Sequence, residues 1–149
     1  MKKIILTALG AAMLLAAVAV PVGARSQSDR DEPASYTVTI TNVMEQQYLT
    51  PPNWAAHNES IHLYGVGSPA SPGLQALAEN GGVPVMAAEI ASYVDARRQG
   101  VSGVAGEAPI APGESVTFEI TTVEGYFSMT SMIICTNDGF GGIDRKSLP

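Results

Sequence analysis

Three segments of the chain show the hydrophobic patterning of β-strands. Residues 36–41 (YTVTIT) and 115–122 (SVTFEITT) alternate between apolar and polar side chains, which is the period of two that a half-buried strand requires. Residues 127–135 (FSMTSMIIC) become apolar at consecutive positions in their second half, as is typical of a strand buried on both faces. The pattern therefore predicts two half-buried strands and one central strand.

Two short helices are predicted between the first and second of these strands. Pro72 occupies a position that suits the first turn of a helix, and the leucines that follow it recur at helical spacing until residues 80–82 (NGG) end the element. A second helical pattern extends over about residues 84–97, with two arginines near its carboxyl end, where cations interact favourably with the helix dipole.

The remaining segments are predicted to be loops. Residues 48–54 (YLTPPNW) contain two prolines, which argue against a helix interior or a central strand, so we expect an extended loop from which Trp54 packs back on the core. Residues 100–112 consist mainly of Gly, Ala, Ser and Pro and are expected to be loop as well. No further strand is expected after residues 136–144.

Strands of this kind, separated by turns rich in Pro and Gly, favour a mainly β fold. We predict an antiparallel β-sandwich with short helical insertions, formed by a single domain over residues 36–149. Only three strands are strongly patterned, whereas a stable sandwich usually contains more.

The first residues of the chain have the organisation of a signal peptide. Lys2 and Lys3 precede a long apolar run, and small residues follow at the positions that a signal peptidase recognises. We predict a signal peptide over residues 1–24, cleavage after Ala24 and a flexible linker over residues 25–35. A transmembrane anchor is the alternative, because the apolar run approaches the length of a membrane span. The protein is therefore expected to be secreted or periplasmic, with no membrane span after cleavage.

The charge balance excludes polyanionic partners. The chain has a formal net charge of −6, and removal of the two lysines in the signal peptide makes it −8. Binding of nucleic acid requires clustered cations that replace the condensed counterions, and the sequence contains only isolated pairs of basic residues. We therefore expect no nucleic-acid binding, whereas a divalent cation is an electrostatically plausible ligand.

The single cysteine and the two histidines provide few ligands for a transition metal. Cys135 follows an apolar run and is expected to be buried, since free cysteine is among the most buried residue types. His57 and His62 lie five positions apart, which suits neither one face of a helix nor one face of a strand. We expect His57 at the surface or in a turn and His62 at a strand edge.

The apolar run that ends at Cys135 leads into the strongest candidate for a functional loop. Residues 136–139 (TNDG) form a turn signal, and Asp138 places a carboxylate beside exposed carbonyl groups. Oxygen ligands of this kind are those that Ca²⁺ prefers, so Asp138 is the candidate metal ligand. The alternative is that the segment is an ordinary surface turn.

An ordered series of motifs resembles the spondin N-terminal domain family, in a shorter bacterial version. The motifs are YTVTITN at 36–42, ASPGL at 70–74, LAENG at 77–81, PGES at 112–115 and NDGFGGI at 137–143. This resemblance implies a C2-like antiparallel β-sandwich of secreted or matrix proteins, associated with adhesion and calcium binding.

The resemblance also singles out one aspartate. Asp138 corresponds to the family's calcium-binding aspartate in the turn after the apolar strand. The other calcium-binding aspartates of the family lie in a later segment that has no counterpart here, and Asp144 matches no family ligand. We therefore expect the chain to be truncated at its carboxyl end and to bind Ca²⁺ weakly, because Ca²⁺ takes six to eight oxygen ligands.

These observations predict an exported, non-enzymatic binding or adhesion module with a possible calcium-binding loop at Asp138. Its expected partner is an extracellular or envelope macromolecule of unknown identity. No common hydrolase or phosphate-binding motif is present, so no enzymatic activity is expected. One alternative is a cupredoxin-like electron-transfer protein that uses His57, His62 and Cys135, although the usual order of ligands is not met. The other is a purely structural envelope protein.

Overall fold

The computed structural model describes residues 32–95 and 99–149. The predicted signal peptide, most of the predicted linker and the carboxyl end of the second predicted helix lie outside these ranges. The described residues form six strands and two helices: β1 (Ala34–Thr41), β2 (Asn53–His57), α1 (Pro72–Asn80), α2 (Val83–Asp95), β3 (Gly100–Val104), β4 (Ser115–Thr122), β5 (Tyr126–Met132) and β6 (Phe140–Ser147).

The strands form two antiparallel sheets. One contains β1 and β4, and the other has the order β3-β2-β5-β6. Every second residue of β1 and β4 is exposed, and outward hydroxyl groups of the two strands pair with one another, as between Thr39 and Thr117 at 2.9 Å. The predicted mainly β fold with two short helices is confirmed, and its two sheets are consistent with a β-sandwich.

The four-stranded sheet is covered on both faces. On one face Trp54 of β2 stacks on Phe118 of β4, with ring centroids 5.2 Å apart, and on Phe127 of β5, at 6.5 Å. On the opposite face α1 lies over β5, and α2 lies over β2 and β3. There Leu77, Met86 and other apolar helix residues pack on the sheet. The protein therefore has three layers, with the larger sheet in the middle.

Helix α1 confirms the prediction made from its end signals. The hydroxyl of Ser71 accepts a hydrogen bond from the Leu74 N–H, which satisfies one of the free donors at the start of the helix. Gly81 ends the helix with a φ of 65°, a conformation that glycine adopts without steric cost.

The predicted loops over residues 48–54 and 100–112 are wrong in part, because Asn53 and Trp54 begin β2 and residues 100–104 form β3, whereas Trp54 does pack on the core as predicted. β2 begins at Asn53, directly after Pro52, so neither proline occupies a position in the strand ladder that needs an N–H donor. β3 pairs with β2, and its small residues provide space for the indole of Trp54. A Cβ at position 103, where the chain has glycine, would lie 2.9 Å from the Trp54 ring. The small residues that suggested a loop therefore allow β3 to pack closely against Trp54.

The end of the chain also differs from the prediction. β5 stops at Met132, and the backbone turns so that Cys135 has a φ of 68°. The expectation that no strand follows the acidic loop is wrong, because β6 pairs with β5 along the edge of the sheet.

No helix among the described residues is long and apolar enough to cross a membrane.

Candidate functional site

The turn between β5 and β6, residues 133–139, carries the predicted metal ligand and is named here the Asp138 turn. Its conformation is maintained by Thr136, whose hydroxyl accepts from the Gly139 N–H at 2.9 Å and donates to the Ile133 carbonyl at 2.7 Å. The Ile133 N–H in turn donates to the Gly139 carbonyl. Asp138 itself is exposed and takes no part in these bonds. Its carboxylate is therefore available to a ligand from solvent.

The residues present do not form a complete calcium site. Ca²⁺ takes six to eight oxygen ligands and usually several carboxylates. In the described part of the chain no group of three or more His, Cys, Asp or Glu side chains is placed to hold a metal ion. The Ile133 and Gly139 carbonyls already accept hydrogen bonds within the turn. Asp138 therefore provides at most one strong ligand.

A second cluster of polar residues lies at one end of the four-stranded sheet. It consists of His57, His62, Ser128, Asp144 and Arg145 and is named here the Asp144 network. The Asp144 carboxylate accepts hydrogen bonds from the Leu63 N–H at 2.8 Å and from Nδ1 of His62 at 2.7 Å. Residues 62 and 63 are thereby fastened to β6, some 80 residues away in sequence.

Arg145 strengthens the same attachment. Its guanidinium donates to the Glu59 carbonyl at 3.0 Å and lies 3.2 Å from Nε2 of His62. Because a guanidinium can only donate, this contact requires Nε2 to accept, so that Nδ1 carries the proton that points to Asp144. The register shift between β5 and β6 places Arg145 opposite Ser128, and its positive φ of 53° marks the irregularity.

Ser128 and His57 form the buried part of the network. Nδ1 of His57 lies 2.6 Å from the Asn58 carbonyl and must donate to it, which leaves Nε2 to accept the Ser128 proton at 2.7 Å. Burial lowers the pKa of His57, an effect partly offset by its bond to Asn58 and by the charge of Asp144. Ser128 also approaches Asp144 at 3.4 Å, but its single proton is committed to the shorter bond.

Ser128 and His57 are hydrogen-bonded to each other as a nucleophile and its general base would be, but a substrate cannot reach them. The side chains of Ser128 and His57 are both fully buried. A substrate therefore has no route to the Ser128 hydroxyl in this conformation. The pair connects β2 to β5 and, through the Arg145 N–H that donates to Ser128 at 2.8 Å, to β6.

A groove of about 690 Å³ lies beside the Asp138 turn. Residues 62–71 form most of its wall, and Leu74 of α1 and Phe140 of β6 complete it. Tyr64 and Phe140 meet edge to face, with centroids 5.3 Å apart and an interplanar angle of 79°. Gly142 makes this arrangement possible, since a Cβ there would lie 2.8 Å from the Tyr64 ring. Phe140, two residues after Asp138, thus links the turn to the groove.

The residues that the sequence suggested as transition-metal ligands do not lie where they were predicted. His57 is buried, so its predicted surface position is wrong, and both of its ring nitrogens bond to protein. His62 is exposed in a loop and not at a strand edge. Cys135, predicted to be buried, is exposed. These three residues do not come together as a metal-binding group.

Asp144 is the residue that sequence reasoning missed. Residues 140–147 (FGGIDRKS) have neither the alternation of a half-buried strand nor a recognisable turn signal. The partners of Asp144 lie near residue 62 and become its neighbours only when β6 pairs with β5. Its role therefore depends on tertiary structure, and no local signal indicated it.

Comparison with known proteins identifies one family. The Spondin_N family model matches residues 45–149, which include every element after β1. The matched range contains the Asp138 turn, the Asp144 network and the groove. No match was found among curated proteins. The resemblance that was inferred from the order of the motifs is confirmed.

Proposed function

The chain belongs to the spondin N-terminal domain family, and on that basis we propose that it is an exported, non-catalytic binding module of the adhesion type. Spondin domains are typically extracellular, which agrees with the signal peptide predicted for residues 1–24. The acidic net charge of −6 favours partners that are neutral or cationic over polyanions.

The observation that carries this proposal is the pairing of the exposed Asp138 turn with the adjoining groove. Both are formed by connecting segments on a framework of paired strands, the arrangement in which binding residues are most often found. The Asp144 network holds the groove wall against β6 through bonds of 2.7 and 2.8 Å. This gives the loop segment a defined shape before any partner arrives, which lowers the entropic cost of binding.

A binding role also agrees with the position of the groups that resemble catalytic ones. Ser128 and His57 are fully buried, and their hydrogen bonds join three strands. An exposed nucleophile beside a base would favour a hydrolase, but this pair is enclosed by the sheet. We assign it a structural role.

Within this function Ca²⁺ acts as a weak ligand of the Asp138 turn. One exposed carboxylate completed by water supports a dissociation constant no tighter than about 1 mM, the weak end of the range for extracellular calcium modules. Such a site is filled only where calcium is abundant.

Calorimetric titration of the folded chain with Ca²⁺ tests this assignment. We expect millimolar binding that Asp138→Ala abolishes, while Glu119→Gln, an exposed carboxylate on the outer face of β4, leaves it unchanged. Identical titrations of the wild type and Asp138→Ala would show that the turn is not the site.

A further inference from the structure

We propose that the groove beside the Asp138 turn binds a neutral carbohydrate. The inference rests on the proposed binding function and names the class of ligand for it. The groove residues that carry the argument are His62, Tyr64, Ser68, Ser71, Leu74 and Phe140.

The lining contains no free charge with which to pair an ionic ligand. Among the described lining residues, His62 is the one that could become cationic, and its ring is already engaged by Asp144 and Arg145. Burial and the nearby charge of Asp144 raise the pKa of Tyr64, so its phenol stays protonated at neutral pH. The net charge of −6 adds a general repulsion of anions. A neutral ligand avoids these penalties.

The polar groups that remain available are hydroxyls. Within the described ranges the hydroxyls of Tyr64 and Ser68 have no hydrogen-bond partner in the protein. The Ser71 hydroxyl accepts from the Leu74 N–H and keeps its own proton for a further partner. Each hydroxyl can donate as well as accept, which matches a ligand that carries many hydroxyls of its own.

The apolar surface of the groove complements the C–H face of a sugar ring. Tyr64 and Phe140 present an aromatic pair, and Leu74 contributes an aliphatic side chain. A pyranose ring has an apolar C–H surface and an edge of hydroxyls, so it can contact the aromatic pair and the hydroxyls together. A purely hydrocarbon ligand would remove the hydroxyls from water without replacing their hydrogen bonds, which is costly.

The groove is also pre-shaped for a small rigid unit. The residues immediately before Tyr64 are fixed to Asp144 by two hydrogen bonds, and the Tyr64 ring rests against Gly142. The volume of about 690 Å³ falls in the range of small-molecule sites. One or two sugar units of a longer glycan could occupy it.

The test is titration of the full chain with neutral oligosaccharides in EDTA, followed by NMR and calorimetry. The probes are cellohexaose, maltohexaose, xylohexaose, mannohexaose and N-acetylchitohexaose, with hexagalacturonate as an anionic counterpart. We expect saturable binding of at least one neutral probe, with shifts at residues 62–71 and 140. Removal of one hydroxyl by Tyr64→Phe should weaken binding about tenfold. Tyr48→Phe, a half-exposed tyrosine outside the groove lining, is the matched control and should have no effect.

Three results would overturn the proposal: no binding of any neutral probe, tighter binding of hexagalacturonate, or equal loss with Tyr48→Phe and Tyr64→Phe. Phe140→Leu keeps an apolar side chain and removes the aromatic pair, so it should also weaken binding if the variant retains the circular dichroism spectrum of the wild type. The sugar titrations contain EDTA and therefore do not depend on Ca²⁺. If no sugar binds but the calcium titration gives the expected result, only the groove proposal is rejected. If a sugar binds but the calcium titration fails, only the Asp138 assignment is rejected.

Discussion

The charge state of His57 bears directly on the stability of the fold. It is fully buried between β2 and β5, and its ring nitrogens bond to the Asn58 carbonyl and the Ser128 hydroxyl in the neutral form. Protonation would turn Nε2 into a donor and would bury a positive charge with Arg145 and His62 nearby. Asp144 offsets only part of this cost. The native state therefore favours neutral His57.

The stability of the protein should accordingly fall at acid pH. Burial lowers the native pKa of His57 below its ordinary 6.5, so below pH 6.5 the unfolded chain takes up a proton that the native protein does not. The contribution of His57 is complete above pH 6.5 and is lost progressively as the pH falls towards the depressed native pKa.

Urea unfolding of the wild type and His57→Gln at pH 7.5 and pH 5 measures this effect. We expect the variant to be less stable by about 1–3 kcal/mol at pH 7.5, because a buried hydrogen bond is lost, and the difference to shrink at pH 5. A difference of the same size at both pH values would mean that the pKa of His57 is the same in the native and the unfolded protein.

Strand β6 is the element that assembles the binding end. It begins at Phe140, in the wall of the groove, and passes Gly142 under Tyr64 before it reaches Asp144. Asp144 then fastens residues 62 and 63 to the sheet. The loop and the strand are thus held together by a side chain that is only 16% exposed. Loss of the Asp144 carboxylate should increase the mobility of the groove wall, while the strands of the sheet stay paired.

Asp144→Ala and Asp144→Asn separate the two contributions of this carboxylate. The alanine variant leaves the Leu63 N–H without its acceptor, which costs about 1–3 kcal/mol in the free energy of unfolding. The asparagine variant keeps an acceptor oxygen and should lose less. Hydrogen exchange at the Leu63 amide should accelerate in the alanine variant and change little in the asparagine variant. Unchanged protection in both variants would contradict the role assigned to Asp144.

Taken as a whole, the described residues form two apolar cores that share one sheet. Leu77 belongs to the helix-side core, whereas Trp54 packs between the two sheets. β2 and β5 contribute residues to both cores, so neither core can be lost while the other keeps its packing surface. The two cores should therefore unfold in one cooperative transition.

Leu77→Ala tests this coupling. Leu77 is fully buried in α1, and its truncation should lower the free energy of unfolding by about 2–5 kcal/mol. The fluorescence of Trp54, the single tryptophan, reports on the opposite core. Its unfolding midpoint should shift with that of the helical circular dichroism signal. Two separate midpoints would show that the helical layer unfolds independently.

The sequence by itself determined the elements whose signals are local. Residues 36–41 and 115–122 alternate in the period that burial of one sheet face imposes, and the structure has β1 and β4 there. Helix α1 was indicated by Pro72 and the glycines after residue 80, because end signals act within one turn of the helix. The position of the Asp138 turn followed in the same way from residues 136–139.

Tertiary structure alone decided β2, β3, β6 and most of the site. β2 and β3 are held by pairing with strands distant in sequence, whereas β6 pairs with its neighbour β5 and reaches residues 62–64 only through tertiary contacts. The glycines in β3 and β6 make space for Trp54 and Tyr64. The Asp144 network joins residues separated by more than 80 positions. The groove combines residues 62–71 with Phe140. Contacts between residues so far apart produce no periodic pattern in the sequence, because folding alone brings each residue next to the neighbour that it contacts.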